Sequence, residues 1–239
     1  MSAPDVPTLV SLLDHPTSVP NLRLYYGVDL PAGEQPAFTG GRFDFLGGGG
    51  DRPESQDTMT ATDLVAVQLL GVDIPGEAAL GLLEGRLGVE IAGYLSQIDP
   101  RIELGSDAAS ELIRPGGAAD AAWRLLEARD GIGWVTASKL LARKRPRLVP
   151  VYDRVVRCAL GAPGHFWEYL HHALRADQGR LRTRLEEVRQ QADLPEATSP
   201  LRVLDVVLWM RHHRSHLRTG CPGINDQPDG QPARGAGAV

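Results

Sequence analysis

Two glycines one residue apart, Gly131 and Gly133, separate two apolar helical patterns and could bind an anion. Glycines permit a tight turn with positive φ and leave no side chain over the backbone. The N–H groups that open the second helix would point outward together, where the helix dipole favours a negative partner. Ile132 between the glycines is expected to pack inward and hold the two helices as a pair. The spacing therefore predicts a turn that binds phosphate through its backbone.

The segment around and after this turn is strongly basic. Residues 129–157 hold eight Lys or Arg against two Asp, a net charge of +6, whereas the chain as a whole carries −5 and the remainder therefore −11. Such asymmetry predicts a face for an anionic partner, and a phosphodiester backbone fits it; the alternative is an ordinary solvated surface. The side chains expected to contact the strand are those of Lys139, Arg143, Lys144, Arg145 and Arg147.

One carboxylate, Asp153, follows the basic segment at the predicted start of a helix. Hydrolysis of an N-glycosidic bond passes through an oxocarbenium-like sugar, and a fixed carboxylate beside it can stabilise the positive charge and orient or deprotonate a water molecule. Asp153 is the candidate for that role. It is also a candidate N-cap, and the two roles are compatible because a capped carboxylate is held rigid.

The sequence ARDGIGWVTA of residues 128–137, followed by VYDRV of residues 151–155, resembles the helix-hairpin-helix superfamily of base-excision DNA glycosylases. That family has a Leu-Pro-Gly-hydrophobic-Gly-x-Lys-Thr-Ala hairpin and then a Val-Asp-Thr-His type of helix start. Asp153 falls at the catalytic aspartate position, and Val135, eighteen positions earlier, falls where the lyase-active members carry lysine. The resemblance covers about residues 60–215. The stretch ASKLLARKRPRLVPVYD also resembles an uncharacterised bacterial protein family.

The resemblance implies a DNA glycosylase that hydrolyses the bond to a damaged or modified base. Because Val135 stands at the lysine position, the resemblance implies a monofunctional enzyme that has no lysine amine for lyase chemistry. Its partner would be DNA, its catalytic residue Asp153, and its hairpin could hold a monovalent cation, with no other cofactor. The cysteines of the family's iron–sulfur site are missing, and two cysteines cannot build such a site alone.

Several other residues leave alternatives open. Trp134 and Tyr152 flank the two motifs and could stack on a base, although packing between the helices is the stronger interpretation of Trp134. Asp205, in an apolar helical pattern, could pair with Arg202 or be a second carboxylate in the cleft, and we favour the structural role. No metal site is predicted, because the histidines near residue 212 lack the glutamate of a zinc-protease motif.

The pattern of apolar residues predicts a mainly α fold with a small irregular or β-containing N-terminal extension. LRLYY (22–26) and FDFL (43–46) could be two short strands or coil, and the four glycines of 47–50 indicate a linker. The expected organisation is an extension and linker over 1–58, a helical glycosylase-like domain over 59–218 and a disordered Gly- and Pro-rich tail over 219–239.

Composition excludes some classes of protein. No apolar stretch approaches the ~20 residues of a membrane span. The N-terminus has no basic region before its short apolar run, which disfavours a signal peptide and predicts a cytoplasmic protein with reduced cysteines. Beside the glycosylase, two other functions remain open: a non-catalytic helix-hairpin-helix DNA-binding module, and a helical interaction domain whose basic segment is only surface.

Overall fold

A computed structural model describes residues 6–31 and 33–219, the last six of these without their side chains. Twelve α-helices make up most of the described chain, which contains no strand, so the predicted mainly α fold is confirmed. The helices are α1 (Val6–Leu13), α2 (Ser18–Tyr26), α3 (Ala61–Gln68), α4 (Gly76–Leu83), α5 (Arg86–Leu95), α6 (Asp107–Ile113), α7 (Ala118–Glu127), α8 (Trp134–Lys144), α9 (Arg154–Ala159), α10 (Phe166–Arg175), α11 (Arg180–Gln191) and α12 (Pro200–Thr219).

The β expectation for the N-terminal segment is wrong. LRLYY belongs to α2, where Leu22 and Tyr25 are buried at the i, i+3 spacing of a helix while Leu24 between them is exposed. Gly27 ends the helix with a φ of 67°, in the left-handed region that favours glycine. FDFL lies in 3-10 turns that run over residues 39–48.

Helix α8 occupies the centre of the fold, because every one of its residues from 136 to 144 is buried. It packs against α7 on one side and α3 on another, while α9 packs on α12. A helix that is buried all round needs either apolar residues or polar residues with partners on every face. Helix α8 uses both.

The helix pair predicted around residues 131–133 is present. Helices α7 and α8 pack together through a six-residue turn, in which Ile132 is buried and donates its N–H to the carbonyl oxygen of Arg129 at 3.0 Å. Ala137, one turn into α8, is also fully buried, and its small side chain allows close contact between the helices.

The two glycines of this turn should respond differently to alanine. Gly131 has a φ of 81°, and a Cβ there would lie 2.4 Å from Cγ of Pro75, whereas Gly133 has a φ of −82° and open space around it. We expect Gly131→Ala to lower the free energy of unfolding by more than about 1 kcal/mol. Gly133→Ala, at an N-cap position, should cost less than about 1 kcal/mol. Urea unfolding of both variants measures this, and equal losses would contradict the strain at Gly131.

Two expectations from the sequence concern residues near the C-terminus. The predicted disordered tail lies outside the described residues, apart from Thr219, which ends α12. The expectation of reduced cysteines involves Cys221, which lies outside the described residues. No helix in the described part of the chain has the length and apolar character needed to cross a membrane.

Candidate functional site

Four charged side chains surround one cavity of about 300 Å³, which we call the carboxylate cleft. Lys139 comes from the middle of α8, Asp153 from the residue before α9, and Arg202 and Asp205 from the first two turns of α12. The walls are mainly aromatic and apolar. They include Tyr25, Phe38, Leu70, Val151 and Trp209.

Asp153 is both the N-cap of α9 and a residue of this cleft. Its Oδ1 accepts a hydrogen bond from the N–H of Val156 at 2.9 Å, and its backbone is extended. Its other oxygen, Oδ2, receives no hydrogen bond from the described residues. The cap therefore fixes the carboxylate and leaves one oxygen for a ligand, so that capping and chemistry coexist in this geometry.

Asp205 is buried and forms an ion pair with Arg202, which lies one turn before it on α12. The Arg202 guanidinium also donates to Asp44 at 3.2 Å, to the hydroxyl of Tyr25 at 2.9 Å and to the carbonyl of Gly40 at 3.0 Å. Burial raises the pKa of Asp205 to about 7, the charge of Arg202 opposes this rise, and Asp153 adds to it. The two carboxyl groups of the cleft thus differ in environment, one half-buried and capped, the other fully buried.

The ammonium group of Lys139 is buried and belongs to the same cleft as Asp153 and Asp205. Its Nζ donates to the carbonyl oxygen of Leu70 at 2.8 Å, which occupies one of its three N–H groups. Burial lowers the pKa of Lys139, while the negative charges of Asp153 and Asp205 oppose that effect. The remaining N–H groups can donate to a ligand in the cleft, because no other acceptor among the described residues takes them.

The raised pKa of Asp205 predicts how stability depends on pH. Between the ordinary value of 3.8 and about 7, the folded protein holds a proton on Asp205 that the unfolded chain has released. The free energy of unfolding contributed by this group therefore falls as the pH rises through that window, and is constant above it. Asp205→Asn cannot titrate and should lose this slope. Urea unfolding across the window, on wild type and variant, checks it; parallel curves would show that Asp205 titrates normally.

The expectation that the basic segment faces DNA is not met by this geometry. Four of the five side chains expected to contact the strand, those of Lys139, Arg143, Lys144 and Arg145, have exposed fractions between 0% and 3%. Arg147 is half-exposed, and its guanidinium lies 3.3 Å from Glu103. Arg143, Lys144 and Arg145 are buried and ion-paired inside the protein and cannot release counterions from a nucleic acid, so these three side chains do not form a DNA-binding face.

The buried cations bind the N-terminal segment instead. Asp63 of α3 receives Arg143 Nε at 3.0 Å and Lys144 Nζ at 2.9 Å. Lys144 also donates to the carbonyl of Ser55 at 2.7 Å, and Arg145 donates to the carbonyl of Gln56 at the same distance. Arg143 further donates to the carbonyl oxygens of Phe43 and Leu46. The residues on both sides of glycines 47–50, the stretch predicted as a linker, are thus anchored on residues 143–145.

The aromatic residues Trp134 and Tyr152 line a different cavity, of about 330 Å³. Tyr152 and Asp153 are consecutive in the chain, but Tyr152 lines this cavity and Asp153 lines the carboxylate cleft. The segment that contains them is fixed to α8, since the hydroxyl of Ser138 donates to the carbonyl of Pro150 and accepts the N–H of Tyr152, both at 3.1 Å. The predicted base pocket and the predicted catalytic residue are therefore not parts of one cleft.

The hairpin glycines line neither cavity. Gly131 is exposed, and Gly133 precedes the first turn of α8, which has no side-chain cap. Sequence reasoning missed the role of Asp63. The predicted pairing of Asp205 with Arg202 is confirmed, at the i, i+3 spacing of an otherwise apolar helix. Asp63 gave no such signal, because its partners are 80 and 81 residues away.

The comparison with known families matches residues 18–212 to one model, the family of unknown function DUF6308. The chain belongs to this family. The matched range includes both sides of the glycine-rich stretch 47–50, so the DUF6308 unit contains α2 as well as α12, and with them both ends of the carboxylate cleft. Neither the curated proteins nor the solved structures contain a match to this DUF6308 member.

Proposed function

We propose that this protein hydrolyses the N-glycosidic bond of a damaged or modified base in DNA, with Asp153 as the catalytic carboxylate. The observation that supports this most is the meeting of Asp153, Asp205 and Lys139 in one cleft of about 300 Å³. Pockets that bind small organic groups begin at about this volume. The cleft is thus large enough for a sugar and its base, and it holds two carboxyl groups in unlike environments.

The two carboxyl groups have different roles in the hydrolysis. The free oxygen of Asp153 stabilises the positive charge that develops on the sugar and accepts a proton from the attacking water. Asp205, whose pKa of about 7 keeps a proton available near neutral pH, donates it to the departing base. The ammonium of Lys139 lies close enough to influence both carboxyl groups, and its free N–H groups can hold the base or a sugar oxygen.

Helices α7 and α8, with the turn between them, supply the contact with the DNA strand. At the start of α8 no side chain caps the backbone, and a Cβ on Gly133 would meet no atom within 4 Å, so a phosphate can approach these N–H groups. Because Arg143, Lys144 and Arg145 are buried, the backbone rather than a basic side-chain surface carries this contact. We expect weak binding with a shallow dependence on salt.

The resemblance also implies a monovalent cation at the hairpin. The carbonyl oxygens of Asp130 and Gly131 accept no backbone hydrogen bond among the described residues. Oxygen atoms suited to a hard cation are therefore present at the turn, and Asp130 and Gly131 would hold the ion. When bound, it would fix the turn against a phosphate, and no step of the hydrolysis depends on it.

A screen of purified protein tests the proposal. Duplex and single-stranded oligonucleotides carrying uracil, alkylated, oxidised or mismatched bases are incubated with wild type and scored for released base, with modified nucleosides in parallel. Release from at least one oligonucleotide supports the proposal. Release from nucleosides alone would retain the cleft chemistry and exclude DNA as substrate. Binding of DNA without release would favour the non-catalytic module, and the absence of both would favour a helical interaction domain.

A further inference from the structure

The second cavity of the protein is rich in tryptophan and has no role in the proposed hydrolysis. Three of the four tryptophans in the chain line it, together with Tyr152 and Phe166, and it measures about 330 Å³. We call it the aromatic cleft, defined by Trp123, Trp134, Tyr152, Phe166 and Trp167. The segment 150–153, fixed by Ser138, contributes Tyr152 to this cleft and Val151 and Asp153 to the carboxylate cleft.

The rings of this cleft leave flat surfaces for a ligand. Tyr152 and Phe166 stack on each other with centroids 3.7 Å apart, and Trp134 lies tilted against Tyr152 at 5.3 Å. Neither Trp123 nor Trp167 stacks on another ring of the described residues, and both are only half-buried. Aromatic side chains with accessible faces bind planar ring systems by stacking, whatever the identity of the ring.

The polar groups of the cleft restrict which planar ligand fits. Glu127, at the end of α7, is half-buried, and no hydrogen bond or ion pair from the described residues reaches its carboxylate. The neighbouring Arg124 is paired with Asp120 at 2.9 Å. Burial raises the pKa of Glu127, with Arg124 opposing, as expected for a carboxylate without a close donor. An acceptor in this position requires N–H donors from the ligand.

The charge of the cleft excludes other ligand classes. Three carboxylates, Asp120, Glu127 and Glu168, stand against the guanidinium groups of Arg124 and Arg157, with His165 also on the wall, so the cleft has no excess of guanidinium charge to attract a phosphate group. A purely hydrocarbon ring would leave the Glu127 carboxylate without a partner. What remains is a flat nitrogen heterocycle that carries amino or ring N–H groups and keeps any phosphate outside.

We propose that the aromatic cleft binds the base of an amino-bearing nucleoside, held between tryptophan rings and donating N–H bonds to Glu127. The same chemistry fits a free nucleoside and an unpaired base of a nucleic-acid strand. The site is distinct from the carboxylate cleft, and its occupancy does not depend on the hydrolysis proposed above.

Titration of intrinsic tryptophan fluorescence tests this proposal with the full chain. Three of the four indoles lie in the cleft, so a stacked base should quench most of the emission in a saturable manner. Cytidine, adenosine and guanosine are the probes, and N4,N4-dimethylcytidine, which has the cytosine ring without amino N–H groups, is the control ligand. We expect saturable quenching by the amino-bearing nucleosides and at least about tenfold weaker binding of dimethylcytidine.

Variants then locate the acceptor. Glu127→Gln should weaken cytidine binding by about tenfold or more, because a charge-assisted hydrogen bond is lost. Glu84→Gln, at an exposed glutamate outside both clefts, is the matched control and should bind as wild type does. Circular dichroism confirms that both variants are folded. The comparison of cytidine with dimethylcytidine uses wild type only, so it still tests whether the ligand must donate N–H bonds if Glu127→Gln unfolds.

The outcomes separate this site from the catalytic proposal. Absence of saturable quenching by all three nucleosides, or equal binding of cytidine and dimethylcytidine, would overturn the inference. Tighter binding of a short oligodeoxycytidine than of cytidine identifies a strand as the source of the base, and equal or weaker binding identifies the free nucleoside. The titration requires no base release, so a failure of the hydrolysis screen does not affect this result.

Discussion

Asp153→Asn is expected to reduce base release by at least about a hundredfold, because it removes the negative charge that faces the developing oxocarbenium ion. The fold should survive the change. Asparagine caps helices about as well as aspartate, and its side-chain oxygen can still accept the N–H of Val156. With only the charge at the helix N-terminus lost, the free energy of unfolding should change by less than about 1 kcal/mol. Single-turnover release from the best substrate of the screen measures the effect.

Asp107→Asn provides the matched control for this experiment. Asp107 also begins a helix, α6, but its carboxylate is almost fully exposed and lies outside both clefts. Its substitution should leave base release unchanged. If Asp153→Asn kept the wild-type rate, Asp153 would be only a helix cap, and the catalytic reading of the cleft would be wrong.

Asp63→Asn is expected to lower the free energy of unfolding by about 3–5 kcal/mol, the usual cost of breaking a buried ion pair from one side. The variant leaves the Arg143 guanidinium and the Lys144 ammonium, both inaccessible to water, without their shared anion. Asp63 also accepts the N–H and hydroxyl of Thr60, at 3.0 Å and 2.9 Å, so the capping box of α3 weakens at the same time. Urea unfolding followed by circular dichroism gives the value.

A surface ion pair offers the comparison for Asp63. Glu111 of α6 and Arg114, the residue that follows this helix, form an ion pair at 2.6 Å with both side chains exposed. Glu111→Gln should therefore lower the free energy of unfolding by less than about 1 kcal/mol. The double variant Asp63→Asn/Lys144→Met, which removes one of the two uncompensated cations, should recover part of the loss. A cost for Asp63→Asn as small as that for Glu111→Gln would show that water reaches this cluster.

The burial of Lys139, Arg143, Lys144 and Arg145 explains why sequence charge misidentified the side chains that would contact DNA. Charge counted along the chain is the same whether a cation faces solvent or a carbonyl oxygen. Arg145 is almost completely buried because carbonyl groups from Leu95, Ile98 and Gln56 surround it. Those acceptors lie about 50 and 90 residues earlier in the chain, and no local sequence pattern predicts them.

The sequence by itself determined the helical class, the paired helices joined by the Gly131–Gly133 turn, and Asp153 as the cap of α9. Each of these depends on residues within one or two turns of each other, where periodicity, backbone freedom and capping act locally. Only the tertiary structure decided that Asp153 shares a cleft with Asp205 and Lys139, while Tyr152 faces another. Which side chains meet, and which charges lose water, depends on packing between helices far apart in the chain, which local patterns do not encode.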